Sequence, residues 1–332
     1  MKVAVVGATG IVGETVLRVL EERRLPVSSL AAFASRDRAA AVMFRGRSVD
    51  VHRATADSLR GFDVVFFAGG DQASVGLAAG IAGNGCIVID NSATFRLDPN
   101  VALIVPEINA AALRPQQRIF PVANCTAIIV CVALAPVCSV AGLQRVHAAT
   151  YQAVSGAGRP GLDELQAAEH AIQHDGAEPP PQAFAARIAR NVVPQIGELD
   201  QRGYTLEETK IQAEVRKILA LDALPFSVIA VRVPVRYAHC AAVFFETERA
   251  ASVKDLSAAL EEAPGLVYHG RGIVTPRDVE GTDDVHVARL RAEDESGHRF
   301  AMWICGDQVR KGAATNGVQI LELLLERGMV AA

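Results

Sequence analysis

The strand–turn–helix pattern at the amino terminus constrains the fold more than any other feature of this chain. Residues 3–6 are a short apolar run, Gly7-Ala-Thr-Gly10-Ile-Val-Gly13 follows at once, and a helical stripe of Val12, Val16, Leu17 and Leu20 comes next. Glycines at this junction let the backbone turn tightly and approach a pyrophosphate, whose charge the positive end of the helix favours. The spacing G-x-x-G-x-x-G is a variant of the dinucleotide-binding fingerprint, and its place between strand and helix is what gives it weight.

The next stretch repeats the alternation. Apolar runs at 30–34, 64–67, 86–90 and 102–105 read as buried strands of a parallel sheet, with helices over 11–22 and 72–82 between them. This predicts a Rossmann-type doubly wound α/β domain. After Tyr151 the texture changes: a Gly/Pro loop at 156–161, a helix over 162–173, an Ala/Pro-rich excursion over 176–190, and a helix over 206–219. Runs at 227–235, 240–246, 285–291 and 300–305 then predict a mixed or antiparallel sheet. A striped helix over 313–327 closes the chain. At 332 residues the chain exceeds what one core usually holds. The expected division is a dinucleotide-binding domain of 1–126 with the carboxyl-terminal 306–332, and an α+β catalytic domain of 127–305.

The end of the second strand bears on the choice of dinucleotide. NAD enzymes place an acid there for the ribose 2′-hydroxyl. Here Ala34-Ser35-Arg36 stands instead, with Asp37 beside it. Ser35 can donate a hydrogen bond and Arg36 can pair with a 2′-phosphate, which favours NADP.

Six cysteines are scattered without C-x-x-C spacing, so no zinc or iron–sulfur template fits, and a chain of this size needs no disulfide framework. Cys125 differs from the rest. Pro121-Val-Ala-Asn124-Cys125-Thr126 ends a strand and opens the apolar helix over 127–134. Asn124 is a favoured helix-cap type, and a helix amino terminus lowers a thiol pKa. The edge of an open α/β sheet is also where such folds bind ligands. The other five cysteines read as small buried hydrophobes.

Four blocks now stand in order: Asn124-Cys125-Thr126; Thr150-Tyr-Gln152-Ala-Val-Ser155-Gly156-Ala-Gly158; Gln212-Ala-Glu214-Val-Arg-Lys217; and Arg232-Val-Pro-Val-Arg-Tyr-Ala-His239. Together they closely resemble the signatures of the aspartate-semialdehyde dehydrogenase family, from Gly7 to Lys311-Gly-Ala-Ala314. The related N-acetyl-glutamyl-phosphate reductases carry a different cysteine motif. The resemblance implies NADPH-dependent reduction of 4-phospho-L-aspartate to L-aspartate 4-semialdehyde and phosphate, through a thioester on Cys125. It places the chain in the biosynthesis of lysine, threonine, methionine and diaminopimelate. It implies His239 as acid/base, with Gln152 and Asn124 beside the nucleophile. It implies Arg232 on the substrate carboxylate, Glu214 on its ammonium, and Arg96 with Lys217 on phosphate. The cofactor contacts it implies are Thr9, Gly10, Ile11, Val12 and Gly13, then Ser35, Arg36, Ser155, Gly156 and Gln308.

The implied roles fit the chemistry. A planar guanidinium grips a carboxylate bidentately, a neutral imidazole exchanges protons near neutral pH, and Glu214 and Lys217 share one helix face at i, i+3. Arg232 and His239 are seven apart, which on an unbroken strand aims them at opposite faces. Pro234 argues against such a strand, and a bend or bulge near Arg236-Tyr237 would bring both inward. Two alternatives remain at this point, the same chemistry on another acyl group and a non-catalytic relative. A net formal charge of -4 gives no reason to expect nucleic acid or an anionic membrane as partner. The longest apolar stretch, 127–138, is too short to span a bilayer and contains Pro136. A soluble, cytoplasmic homodimer is the expectation, the dimer resting on the resemblance alone.

Overall fold

The computed structural model describes residues 1–35, 40–174 and 176–331. They form two compact units, Met1–Asn124 with Gly312–Ala332, and Cys125–Lys311.

In the first unit β1 (Lys2–Val6) runs through the glycine turn into α1 (Ile11–Glu22) and β2 (Ser29–Ala34). A hairpin of β3 (Ala41–Phe44) and β4 (Arg47–Arg53) follows, then β5 (Val64–Phe67), α2 (Asp71–Gly83), β6 (Ile87–Asp90), the short α3 (Pro106–Asn109) and β7 (Ile119–Pro121). The sheet order is β3-β4-β2-β1-β5-β6-β7. Every pair is parallel except β3 with β4. The chain leaves β1 in both directions, so the sheet is doubly wound as expected, and the carboxyl edge at β1/β5 is its ligand crevice. β5 and β6 are buried at every position, which is why their sequences run apolar without alternation. α1 buries Val16, Leu17, Val19 and Leu20, each contributing about 1.5–3 kcal/mol of transfer free energy.

Two details depart from the sequence reading. The hairpin went unseen because its turn, Arg45-Gly46, puts arginine at φ 49 where asparagine is the usual signal. Residues 102–105 are buried but join no strand ladder, and β7 takes the place beside β6. Side-chain amides satisfy that backbone instead. Gln117 donates to Ala102 O (3.1 Å) and accepts from Ala102 N–H (3.0 Å), while Asn109 bonds Val105 N–H and Leu103 O. An apolar run reports burial, and only long-range pairing makes it a strand.

The second unit opens with α4 (Cys125–Ala141), which continues through Pro136, and β8 (Arg145–Gln152). Then come α5 (Gly158–Gln173), α6 (Leu206–Leu219), β9 (Phe226–Arg232) and β10 (His239–Glu246). α7 (Val253–Glu262), β11 (Leu266–Tyr268), α8 (Pro276–Val279), β12 (Val285–Ala292) and β13 (Arg299–Gly306) complete it. The sheet order is β11-β12-β13-β10-β8-β9. It is mixed: β8–β9 and β11–β12 are parallel and the other pairs antiparallel. α4 is buried along most of its length and packs on α6 and α7, so its apolarity reflects a core helix. Among the described residues 176–190 contain no helix or strand. The final helix, α9 (Thr315–Glu326), packs on α1, α3 and β6 of the first unit. Among the described residues no helix is long and apolar enough to cross a membrane.

Candidate active site

The glycine turn is built as a dinucleotide requires. Gly7 sits at φ +84, and a Cβ there would lie 2.7 Å from Gly69 N, so the β1–α1 and β5–α2 turns meet backbone to backbone. Gly7 and Ala8 N–H both donate to Phe33 O of β2 (2.8 and 3.2 Å), which closes the turn. Among the described residues no side chain caps α1 at Gly10 or α2 at Gly70, so two helix amino termini meet at one sheet edge. Gly69-Gly70 thus joins the site, although the sequence reading passed over it. Thr9, Ile11, Val12 and Gly13 lie in this turn and the first turn of α1, and Ser35 is exposed just past β2. Arg36 lies outside the described residues. The cradle therefore fits a bound dinucleotide's pyrophosphate.

Arg96 also belongs to the first unit. Its loop follows β6, where the buried Asp90 carboxylate accepts from Ser74 Oγ (2.5 Å), Ser92 Oγ (2.7 Å) and Ser92 N–H (2.9 Å). Arg96 Nη2 donates to Asn91 O (2.7 Å), which fixes the guanidinium.

Asn124 is buried directly before α4, and Cys125, half-buried, is the first residue of that helix. The thiol thus lies at the positive end of a 17-residue helix. Burial drives the Cys131 thiol well above its ordinary pKa and raises those of Cys138 and, to about 12, Cys86. Cys305 is raised by its hydrogen bond with Cys240 and by burial. A raised pKa keeps these thiols protonated at neutral pH.

Strand order answers the geometric question about Arg232 and His239. β9 ends at Arg232, a turn through Ala238 (φ 66) follows, and β10 begins at His239. The two strands do not pair with each other: β8 lies between them. Gln152, the last residue of β8, is in register with Arg232, while Tyr151 is in register with Cys240. Three side chains from three strand ends are therefore brought together. Two of them, Arg232 and His239, converge on Gly156, where a Cβ would lie 2.6 Å from Arg232 Nη1 and 3.2 Å from His239 Nε2. The inward turn comes from the break between β9 and β10, which contains Arg236-Tyr237, and not from a bulge within one strand.

Each group is tethered. Arg232 is buried, its Nη1 donates to Ala153 O (2.7 Å), and its Nε has no hydrogen-bond partner among the described residues. Burial lowers its pKa, opposed by the charges of Glu207 and Cys125. Ala153 N–H donates to His239 Nδ1 (3.0 Å). Nδ1 is thereby an acceptor, which puts the neutral ring's proton on Nε2, itself buried and without a partner among the described residues. Burial, and then the positive Arg232, push His239 well below the usual histidine pKa, so the ring is neutral at physiological pH. Gln152 Nε2 donates to Thr126 Oγ1 (2.7 Å) and Glu207 Oε1 (3.0 Å), which settles the carboxamide's orientation next to Cys125.

Glu207 is the residue that sequence reasoning missed here. It stands seven positions before Glu214 on α6, two turns along the same face, a spacing that was available as a signal. Glu214 is itself fully buried, and its charge is felt at Cys131 on α4; Lys217 is half-buried. Ser155 Oγ donates to Arg236 O (2.5 Å) and accepts from Gln308 Nε2, and Gln308 Oε1 is buried with no partner among the described residues. Among the described residues no group of three or more potential metal ligands occurs.

Two family descriptions match the chain: "Semialdehyde dehydrogenase, NAD binding domain" over residues 2–116 and "Semialdehyde dehydrogenase, dimerisation domain" over 134–311. The aspartate-semialdehyde dehydrogenase of Aquifex aeolicus is 38% identical over 337 residues, spanning 99% of both chains. That of Bacillus subtilis is 36% identical over 343 residues, again spanning 99% of both. The crystal structure of aspartate semialdehyde dehydrogenase II from Vibrio cholerae, complexed with ASA, superposes with a TM-score of 0.94 at 36% identity, covering 98% of each chain.

Proposed function

The chain belongs to the aspartate-semialdehyde dehydrogenase family, an oxidoreductase acting on an aldehyde group in amino-acid biosynthesis, and from that premise we propose how its residues divide the reaction. Cys125 is the nucleophile. Its sulfur bonds to the acyl carbon of 4-phospho-L-aspartate, the carbon–oxygen bond to phosphate breaks, and a thioester remains on Sγ. The dinucleotide, when bound, supplies the hydride that takes this thioester to the aldehyde level. Gly7, Gly10, Gly13, Gly69 and Ser35 would hold it, together with Arg36, whose charge favours NADP.

The carrying observation is the convergence of Arg232 and His239 on Gly156, with Gln152 linked to Thr126 beside the thiol. Arg232 offers an unpartnered buried Nε edge, the group a substrate carboxylate needs. Glu214 pairs with the substrate ammonium, and Arg96 and Lys217 receive phosphate. His239, neutral with its proton on Nε2, donates to the oxygen that becomes negative when a nucleophile adds to the carbonyl carbon. Collapse of the resulting hemithioacetal oxyanion, still held by that hydrogen bond, re-forms the carbonyl, breaks the carbon–sulfur bond and releases the aldehyde and the Cys125 thiolate. Taking up the thiol proton at Nε2 requires the other tautomer, hence loss of the Ala153 bond, so donation is the role this geometry supports best.

The dimerisation-domain match over residues 134–311 supports a homodimer, which sedimentation would report directly. Six free cysteines fit a reducing cytosol. The decisive assay is phosphate-dependent reduction of NADP by aspartate semialdehyde, with wild type and Cys125→Ser side by side. Activity in the wild type and none in C125S is expected. Full activity in C125S overturns the nucleophile, and absence of activity in the wild type overturns the substrate.

A further inference from the structure

Residues 176–190 belong to no helix or strand, yet they are fastened at both ends of their second half. Glu164 of α5 accepts from Gln182 N–H (2.8 Å) and Ala183 N–H (2.6 Å) through one carboxylate oxygen. Beyond Phe184, Ile188, Ala189 and Val193 are buried. Val193 then exchanges two backbone hydrogen bonds with Arg232 (2.8 and 2.9 Å), an isolated antiparallel bridge on the outer side of β9. The segment thus leaves α5 and returns to Arg232, the residue with which the site is concerned.

Between those anchors stands Phe184, half-buried, with the Arg232 guanidinium carbon 5.7 Å from its ring centroid. α5 makes room for the ring: a Cβ at Gly161 would lie 3.0 Å from Phe184 Cζ. The guanidinium is consequently held from three directions. Its backbone is bridged by Val193, Nη1 is tied to Ala153 O, and a face is covered by the ring. What remains open is the Nε edge. A ring over a guanidinium attracts it through its quadrupole and removes one face from water, which strengthens the remaining polar interactions of that cation.

We infer that Phe184 is a positioning residue for Arg232, and that the 176–190 segment exists in this chain to hold that ring against the guanidinium and so set affinity for the substrate's carboxylate. This rests on the reading of Arg232 as the carboxylate receptor. Phe184 touches no reacting atom, so its removal acts on binding and leaves the chemical step to Cys125 and His239.

The test is the KM and kcat for aspartate semialdehyde of F184L, F184Y and R232L, each with a melting curve. Leucine keeps an apolar wall of similar volume, so F184L folds, and tyrosine restores the aromatic face. KM is expected to rise about 3- to 30-fold in F184L, with kcat within about twofold of wild type. In F184Y it returns to the wild-type value. An unchanged KM in F184L, a KM that tyrosine does not restore, or a loss carried by kcat overturns the role of Phe184. R232L separates the two layers of inference. A wild-type KM in R232L overturns Arg232 as the carboxylate receptor, whereas a raised KM there with an unchanged KM in F184L overturns Phe184 alone.

Discussion

Adding one methyl group at Gly156 is the sharpest perturbation the site offers. Gly156 is exposed and not at positive φ, so alanine meets no backbone penalty and the whole effect is steric. The new Cβ would stand 2.6 Å from Arg232 Nη1 and 3.2 Å from His239 Nε2 and Cε1. Carbon–nitrogen contacts relax near about 3.5 Å, so the guanidinium must retreat by about 1 Å and the imidazole by a few tenths. Arg232 can move only by stretching its 2.7 Å bond to Ala153 O or sliding off Phe184. A misplacement of about 1 Å at a reacting centre costs about 10²-fold in rate. For Gly156→Ala, kcat/KM is therefore expected to fall about 10²-fold, equivalent to about 2.7 kcal/mol of transition-state stabilisation. Overpacking elsewhere costs about 1–3 kcal/mol of stability, and this open position sits at the low end of that range. The assay is initial-rate NADP reduction beside a urea titration. Gly76→Ala serves as control: it lies in the exposed middle of α2 with nothing within 4 Å of its Cβ position, so activity should stay unchanged. Its stability should rise by about 0.5–1 kcal/mol. A G156A enzyme with wild-type kcat/KM, or one whose deficit tracks its unfolded fraction, refutes the reasoning.

Three further outcomes follow from the same geometry. Glu207→Gln keeps an acceptor for Gln152 and should retain most activity, whereas Glu207→Ala leaves a buried amide hydrogen unpaired and should lower kcat/KM about 10- to 100-fold; equal kinetics in the two variants would remove Glu207 from the site. His239, depressed by burial and then by Arg232, binds its proton less well folded than unfolded, so it withdraws stability as pH falls below about 6.5. His239→Gln should flatten that acid limb by the slope of one proton, and identical slopes in pH-dependent unfolding would contradict the burial argument. Limited alkylation with iodoacetamide should label Cys125 first, because Cys86, Cys131, Cys138 and Cys305 are all raised in pKa; peptide mapping that finds another of the six labelled faster would undo the assignment.

What the sequence by itself determined was local. The glycine turn lies between β1 and α1 because seven consecutive residues encode it, and Cys125 opens α4 because a strand end and an apolar helix abut at that residue. The 206–219 helix was legible as a local element too, and the structure shows its start fixed by a capping box of Thr205 and Glu208 that spans only four residues. Where a signal was disguised, as at Arg45-Gly46, or where burial imitated a strand, as at 102–105, local reading failed.

The tertiary structure decided which distant residues meet. Nothing in the seven-residue spacing of Arg232 and His239 says that β8 will insert between β9 and β10 and carry Gln152 to both. Sheet order is a long-range choice, settled by how the apolar faces of α4, α6 and the strands bury one another, and no short window contains it. The place of Phe184 over Arg232, and of Glu207 beside Gln152, depends on that order in turn. Chain chemistry supplied the thiol, the imidazole and the guanidinium; packing brought the imidazole and the guanidinium to one glycine and tied Gln152 to the residue after the thiol.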